Sequence, residues 1–244
     1  MSGALVVDFD GVVCDALEEC ALVTWLGVHG VDPDLPVSAY RRAVSPTFSE
    51  KFATVRNFSR TLDHFAVAHS GHIGPPRSRI EFDQRFDALS GDFLAAFVRR
   101  ANMARNRCRE EEPRFWLGMH SIYPGISDLM RRHTGRVHVI TAKDAASVRS
   151  ILRANGLGAA VSGIYGEVSA KDEVMLALCA EHKVEVTDTV FIDDNLTNVE
   201  RVAAVGAQSH WAKWGYHTPE DIRKADGSEV RRLNLSDLPG IMVG

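Results

Sequence analysis

Short apolar runs that end in an acid or a hydroxyl recur along this chain. The first runs from Ala4 to Phe9, with Asp8 near its end. A second runs from Val137 to Thr141, and a third from Thr189 to Asp193. Continuously apolar runs of this length predict buried strands covered on both faces, as in parallel sheets. Ser162 to Tyr165 and Ala207 to Trp211 are weaker strand candidates. Helical periodicity fills the gaps. Residues 145–155 carry Val148, Ile151 and Leu152 and stop before Gly156. Ser169-Ala-Lys-Asp172 resembles a capping box and predicts a helix through Leu178. Residues 195–205 carry Leu196, Val199 and Val202 and stop at Gly206. From about residue 119 onward, strand and helix alternate. That alternation predicts an α/β fold, with a Rossmann-like parallel sheet and helices on both faces.

Residues 15–118 follow another rule. They contain no convincing strand and several amphipathic stretches. Phe82, Phe86, Leu89, Phe93 and Phe97 recur at steps of three and four and predict one long helix. Gly71 to Pro76 predicts a loop. The expected organisation is an α/β core of residues 1–14 and 119–244, with an all-helical domain, 15–118, inserted after the first strand.

Composition narrows the function classes. A chain of 244 residues that is 45% hydrophobic can bury a core without disulfides or a structural metal. Its 28 basic and 32 acidic residues give a formal charge of -4, which gives nucleic-acid binding no support. Cys14, Cys20, Cys108 and Cys179 form no CxxC pair, so zinc-ribbon and thioredoxin-like readings fall away. Reduced, buried thiols in a cytoplasmic protein are expected instead. The apolar run at Ala4 is too short for a secretory signal, and no stretch has the length of a membrane helix.

The strand ends carry the chemistry. Asp8-Phe-Asp10-Gly11 places two acids two residues apart where a strand stops, so both can approach one point beyond its carboxyl end. Open α/β sheets bind ligands at that edge. Two carboxylates about 4 Å apart repel by roughly 4 kcal/mol at an effective dielectric of about 20. A hard divalent cation such as Mg²⁺ would offset that repulsion. Gly11 permits a tight turn and close approach of a ligand. Asp193-Asp194 repeats the arrangement, although Asp194 or Asn195 could instead cap the next helix. Thr141 offers a hydroxyl at a third strand end. Lys171 opens a helix, where the macrodipole disfavours a cation unless an anion lies near.

Together these residues resemble the motifs of the haloacid dehalogenase-like superfamily, in particular its phosphoglycolate-phosphatase-like members with a helical C1 cap. Asp8-Phe-Asp-Gly-Val-Val is similar to the first motif and Ile140-Thr141 to the second. Lys171 stands at the place of the third, and Asp193-Asp194 is similar to the fourth. Tyr123-Pro-Gly and Trp214-Gly-Tyr-His-Thr-Pro-Glu resemble further core loops. The order and spacing cover most of the chain. Two departures stand out: Asp172 follows Lys171 where many relatives have proline, and Val12 stands where threonine is frequent.

The resemblance implies an Mg²⁺-dependent phosphatase acting on a small phosphorylated metabolite through an aspartyl-phosphate. It makes Asp8 the nucleophile and Asp10 the general acid and base. Thr141 and Lys171 would hold the phosphoryl group, with Gly11 and Ala142 lining its site. The Asp8 carboxylate, the Asp10 carbonyl, Asp193 and Asp194 would hold the metal. Asp10 favours phosphoester over carbon–halogen chemistry, because a halide needs no proton to leave. In the insertion, Arg56 and Arg60 lie one turn apart on an expected helix and could bind a second anionic group. His64, His69 and His72 suggest a metal site only weakly. A phosphomutase, a non-catalytic relative and a signalling receiver domain are the competing readings. The last is disfavoured because Asp193-Asp194 follows Lys171. Neither nucleic acid nor membrane is an expected partner, and the chain is expected to be a monomer or homodimer.

Overall fold

The computed structural model describes residues 3–244. The chain begins with strand β1, Leu5–Val7, and a two-residue strand β2, Cys14–Asp15. Five helices follow: α1 (Leu17–His29), α2 (Pro46–Phe58), α3 (Arg79–Asp87), α4 (Gly91–Glu111) and α5 (Pro113–Gly118). Strand β3 (Ser121–Ile122) and helix α6 (Ile126–Arg132) come next. Strands and helices then alternate through β4 (Val137–Ile140), α7 (Ala145–Ala154), β5 (Val161–Tyr165), α8 (Lys171–His182), β6 (Val190–Asp193) and α9 (Leu196–Ala204). They end with β7 (Gln208–Ala212), α10 (Pro219–Asp226) and β8 (Arg231–Leu233). Two compact units result: Met1–Asp15 with Ser121–Gly244, and Ala16–His120.

The helical unit has its own core. Phe52, Val55, Phe58, Phe65, Phe82 and Phe97 are buried in one cluster. Serines start three of its helices. Ser45, Ser78 and Ser90 accept hydrogen bonds from the amides of Phe48, Glu81 and Phe93. The last of these corrects the expected long helix. The Phe82–Phe97 stripe belongs to two helices, α3 and α4, because Ser90 caps a new start after α3 ends at Asp87. The aromatic period survives the break because Phe82 and Phe97 enter the same core from different helices. Glu19 on α1 and Arg105 on α4 are both buried, with N–O distances of 2.6 and 3.3 Å. All four cysteines are buried and outside any disulfide, and burial beside Glu112 and Glu19 pushes the Cys108 thiol up to about 12.

In the α/β unit six parallel strands form one sheet in the order β5-β4-β1-β6-β7-β8. The strands are short, and β1, β4 and β6 are buried throughout. Val6, Ile140 and Phe191 pack on Met175 and Leu178 of α8 and Val202 of α9. Val7 pairs with Val139 on one side and Ile192 on the other. That register brings Asp8, Thr141 and Asp193 to the carboxyl edge of three adjacent strands. β2 and β3 form a separate antiparallel ribbon, joined by the Tyr123 amide donating to the Val13 carbonyl.

The start of α8 differs from expectation. Its N-cap is Ala170, with no side-chain cap, so the Ser169 capping box does not form. Ser169 lies one residue too early, since the helix begins at Lys171. It also runs past Leu178 to His182, because Cys179-Ala-Glu-His holds no breaker.

Candidate active site at the carboxyl edge of the sheet

Lys171 is the centre of the site. Its side chain is buried, and Nζ lies 2.8 Å from Asp8 Oδ1 and 2.8 Å from Asp193 Oδ2. Burial pushes its ammonium down. The Asp193 and Asp8 carboxylates, with a hydrogen bond to each, outweigh that and raise it, so it stays protonated. The uncapped helix start is therefore occupied by a cation that anions from two strand ends hold in place.

Each acid is fixed by the backbone around it. Asp8 Oδ1 accepts the Phe9 amide at 2.7 Å. Asp193 Oδ1 accepts the Asn195 amide at 2.7 Å, and Asn198 Nδ2 donates to Oδ2 at 3.0 Å. Asn195 also caps α9 by accepting the Thr197 amide, so the capping role falls to Asn195. That leaves Asp194 for another task. Its Oδ2 accepts the Tyr216 amide at 2.6 Å, and the Tyr216 hydroxyl donates to Asp15 Oδ1 at 2.9 Å. Gly11 (φ +90°) and Gly215 make room for it. A Cβ at either would lie within 2.3 Å of an Asp194 side-chain atom.

Asp8, Asp193 and Asp194 each offer a carboxylate oxygen, all within 4.8 Å of one another. Asp10 sits slightly apart: Lys143 Nζ lies 3.3 Å from its Oδ2. Counted with Asp10, four carboxylates meet two ammonium groups, a formal excess of two negative charges. Burial raises the Asp8 carboxyl; Lys171 pulls it down, Asp193 pushes it up, and the result is about 6. A donor set made only of oxygen, with two surplus negative charges, fits a hard divalent cation.

Thr141 is buried just beyond β4. Its amide donates to the Tyr165 carbonyl, its carbonyl accepts the Val168 amide, and its Oγ1 accepts the Lys143 amide at 3.2 Å. Ala142 beside it is exposed. Asp172, the departure after Lys171, has a clear role: Arg201 on α9 lies 2.8 Å from its carboxylate and ties the start of α8 to α9.

The structure brings Asp8 and Asp193 into direct contact with Lys171, places Asp194 within 4.8 Å of both acids, and sets Asp10, Gly11 and Thr141 at the same strand ends. The expectations for the insertion fare differently. Arg56 occupies the last turn of α2, over the Phe65 ring at 5.4 Å, with NH1 donating to the Ser59 carbonyl. Arg60 lies beyond that helix, because Ser59 ends it in an extended conformation, so the two arginines do not share a helical face. His64 Nδ1 accepts the Arg60 amide and His69 Nε2 meets the Thr24 carbonyl. Among the described residues, the three aspartates form the only cluster suited to a metal. Sequence reasoning missed Lys143, Asn198 and Tyr216. Asn198 stands in the first turn after a capped helix start, a place from which its amide can reach back to Asp193.

Solved structures share this architecture across nearly the whole chain. A haloacid dehalogenase-like family hydrolase of Streptococcus pneumoniae is 15% identical, with a TM-score of 0.60, over 98% of this chain and 97% of that one. An assigned phosphoglycolate phosphatase of Lactobacillus delbrueckii subsp. bulgaricus is 16% identical, with a TM-score of 0.68, over 100% of both chains. An assigned haloacid dehalogenase-like hydrolase of Bacteroides fragilis is 14% identical, with a TM-score of 0.63, over 94% of this chain and 95% of that one. No protein-family model and no curated protein matches the chain. No helix among the described residues is long and apolar enough to cross a membrane. With its parallel sheet, its helical insertion after β1 and its acids at the strand ends, the chain has the haloacid dehalogenase-like fold.

Proposed function

We propose that this protein is an Mg²⁺-dependent phosphatase of small phosphorylated metabolites, working through a phosphoryl group carried on Asp8. One observation carries the reading: a buried lysine holds Asp8 at the end of β1, inside an acid cluster with surplus negative charge. A structural role would not assemble such a cluster, because the unbalanced acids repel one another. The neighbours' names as hydrolases and phosphatases point the same way.

In this reading the Asp8 carboxylate attacks phosphorus, and a carboxylate nucleophile divides one hard displacement into two easier ones. Asp10 gives a proton to the leaving oxygen, then takes one from the attacking water. The Lys171 ammonium and the Thr141 hydroxyl hold phosphoryl oxygens, with Gly11 and Ala142 lining the approach. Positioning and charge stabilisation supply most of the catalysis in such transfers. Asp8, Asp193, Asp194 and the Asp10 carbonyl would hold the Mg²⁺. When bound, the ion neutralises charge on the phosphoryl oxygens and the nucleophile. We assign substrate selection to the helical unit, as a cap, and a cytoplasmic location to the protein, in keeping with four cysteines outside any disulfide.

The test is phosphate release from a panel of phosphate monoesters that includes phosphoglycolate, with Mg²⁺ and with EDTA. Metal-dependent release is expected. Folded, metal-supplied protein that releases none would turn the reading toward a mutase or a non-catalytic relative.

A further inference from the structure

Lys143 is a buried lysine for which the reading above has no task. Its side chain is 2% exposed. Lysine is almost never buried to this degree without a partner, and Asp10 is within reach: Nζ to Oδ2 is 3.3 Å. The backbone beneath it is held from three directions. Its amide donates to Thr141 Oγ1, its carbonyl accepts the Glu167 amide, and a Cβ on Gly166 would lie 2.8 Å from that carbonyl oxygen. Asp144, the next residue, caps α7 by accepting the Ser147 amide at 2.8 Å. The lysine therefore enters the site from a rigid turn.

Asp10 is held unevenly. Its Oδ2 faces the ammonium, whereas its Oδ1 is buried with no hydrogen-bond partner. A buried oxygen left unsatisfied costs free energy unless something else meets it. Its backbone is also fixed, since Asp10 bridges to Cys14 and the Gly11 amide donates to the Cys14 carbonyl.

We propose that Lys143 is a positioning residue that fixes the Asp10 carboxyl by Oδ2, so that Oδ1 exchanges the proton in both half-reactions. The proposal rests on the phosphatase reading and deepens it. In the first half, a bond forms between an Asp8 oxygen and phosphorus while the ester P–O bond breaks. The bonding pair stays on the leaving oxygen, which takes the proton from Asp10 Oδ1. The negative charge left on Asp10 then lies beside the Lys143 ammonium. In the second half, water attacks phosphorus and gives its proton to Oδ1. The Asp8–phosphorus bond breaks, its pair returns to the carboxylate, and inorganic phosphate leaves.

The test compares leaving groups. Lys143→Met keeps the length of the stem and removes the charge. kcat/KM for an alkyl phosphate and for 2,4-dinitrophenyl phosphate reports the first half only, and only the alkyl leaving group needs a proton. The expected result is a loss of about a hundredfold on the alkyl ester and less than about threefold on the activated ester. Lys143→Met added to Asp10→Asn should cause little further loss, as residues acting through one another are non-additive. Equal losses on both esters, with weaker inhibition by inorganic phosphate, would overturn the proposal and make Lys143 a phosphoryl-binding group. Unchanged kinetics would overturn it too. If Lys143→Met does not fold, Lys143→Gln is read the same way. Wild-type protein inert toward both esters would overturn the phosphatase reading itself, and the proposal with it.

Discussion

In the helical unit, Glu19 and Arg105 meet as one buried acid and one buried base, with two N–O contacts. At the sheet edge of the α/β unit, Lys171 and Lys143 face Asp8, Asp10, Asp193 and Asp194. Both clusters are shielded from water, so both incur a desolvation cost. They differ in balance. The first pairs one acid with one base. The second keeps two surplus negative charges, and burial above all raises its Asp8 carboxyl to about 6. Matched charge marks a structural pair, and unmatched buried charge marks a place where a ligand completes the account.

Breaking the balanced pair should have the largest effect on stability. Arg105→Met leaves the fully buried Glu19 without its guanidinium and should cost about 3–5 kcal/mol in denaturant unfolding. Replacing both partners with apolar residues should restore most of that loss. An Arg105→Met protein as stable as wild type would erase the distinction between the clusters.

The unbalanced cluster should respond in the opposite direction. Asp8→Asn removes one repelling charge and should raise metal-free stability by roughly 1 kcal/mol, or about 2–4 °C in Tm for a chain of this size. The same variant should lose most of the Tm increase that Mg²⁺ gives the wild type. A metal-free melt lower than wild type would mean that Asp8 is a net stabiliser.

The gentlest probe is pH. A group whose carboxyl is raised to about 6 binds a proton in competition with a cation. Mg²⁺ affinity, followed by calorimetry, should be flat above about pH 7 and weaken toward tenfold per unit below about pH 6. Flat affinity down to pH 5 would show that Asp8 is not a ligand.

Much of this was legible in the chain. The apolar runs ending in acids located β1, β4 and β6, since strands buried on both faces carry their own signature. The paired acids and Lys171 were legible because each sits at a strand end or helix start. The misses have physical reasons. The Phe82–Phe97 stripe kept its period across the break between two helices, and Ser90 was the sign of the second start. Ser169 had the spacing of a cap, but the ion pairs of Lys171 govern where α8 meets the sheet. Lys143 and Tyr216 act across the fold, over separations of 133 residues to Asp10 and 22 to Asp194, which no local pattern reports.

The central claim is that Asp8 carries the phosphoryl group in a metal-dependent reaction. It is tested most directly by phosphate release from the best ester of the panel, measured for wild type and Asp8→Asn with Mg²⁺ and with EDTA. The account predicts release only from wild type with Mg²⁺, with the variant folded and silent. Equal release by Asp8→Asn, or release undiminished by EDTA, would contradict it.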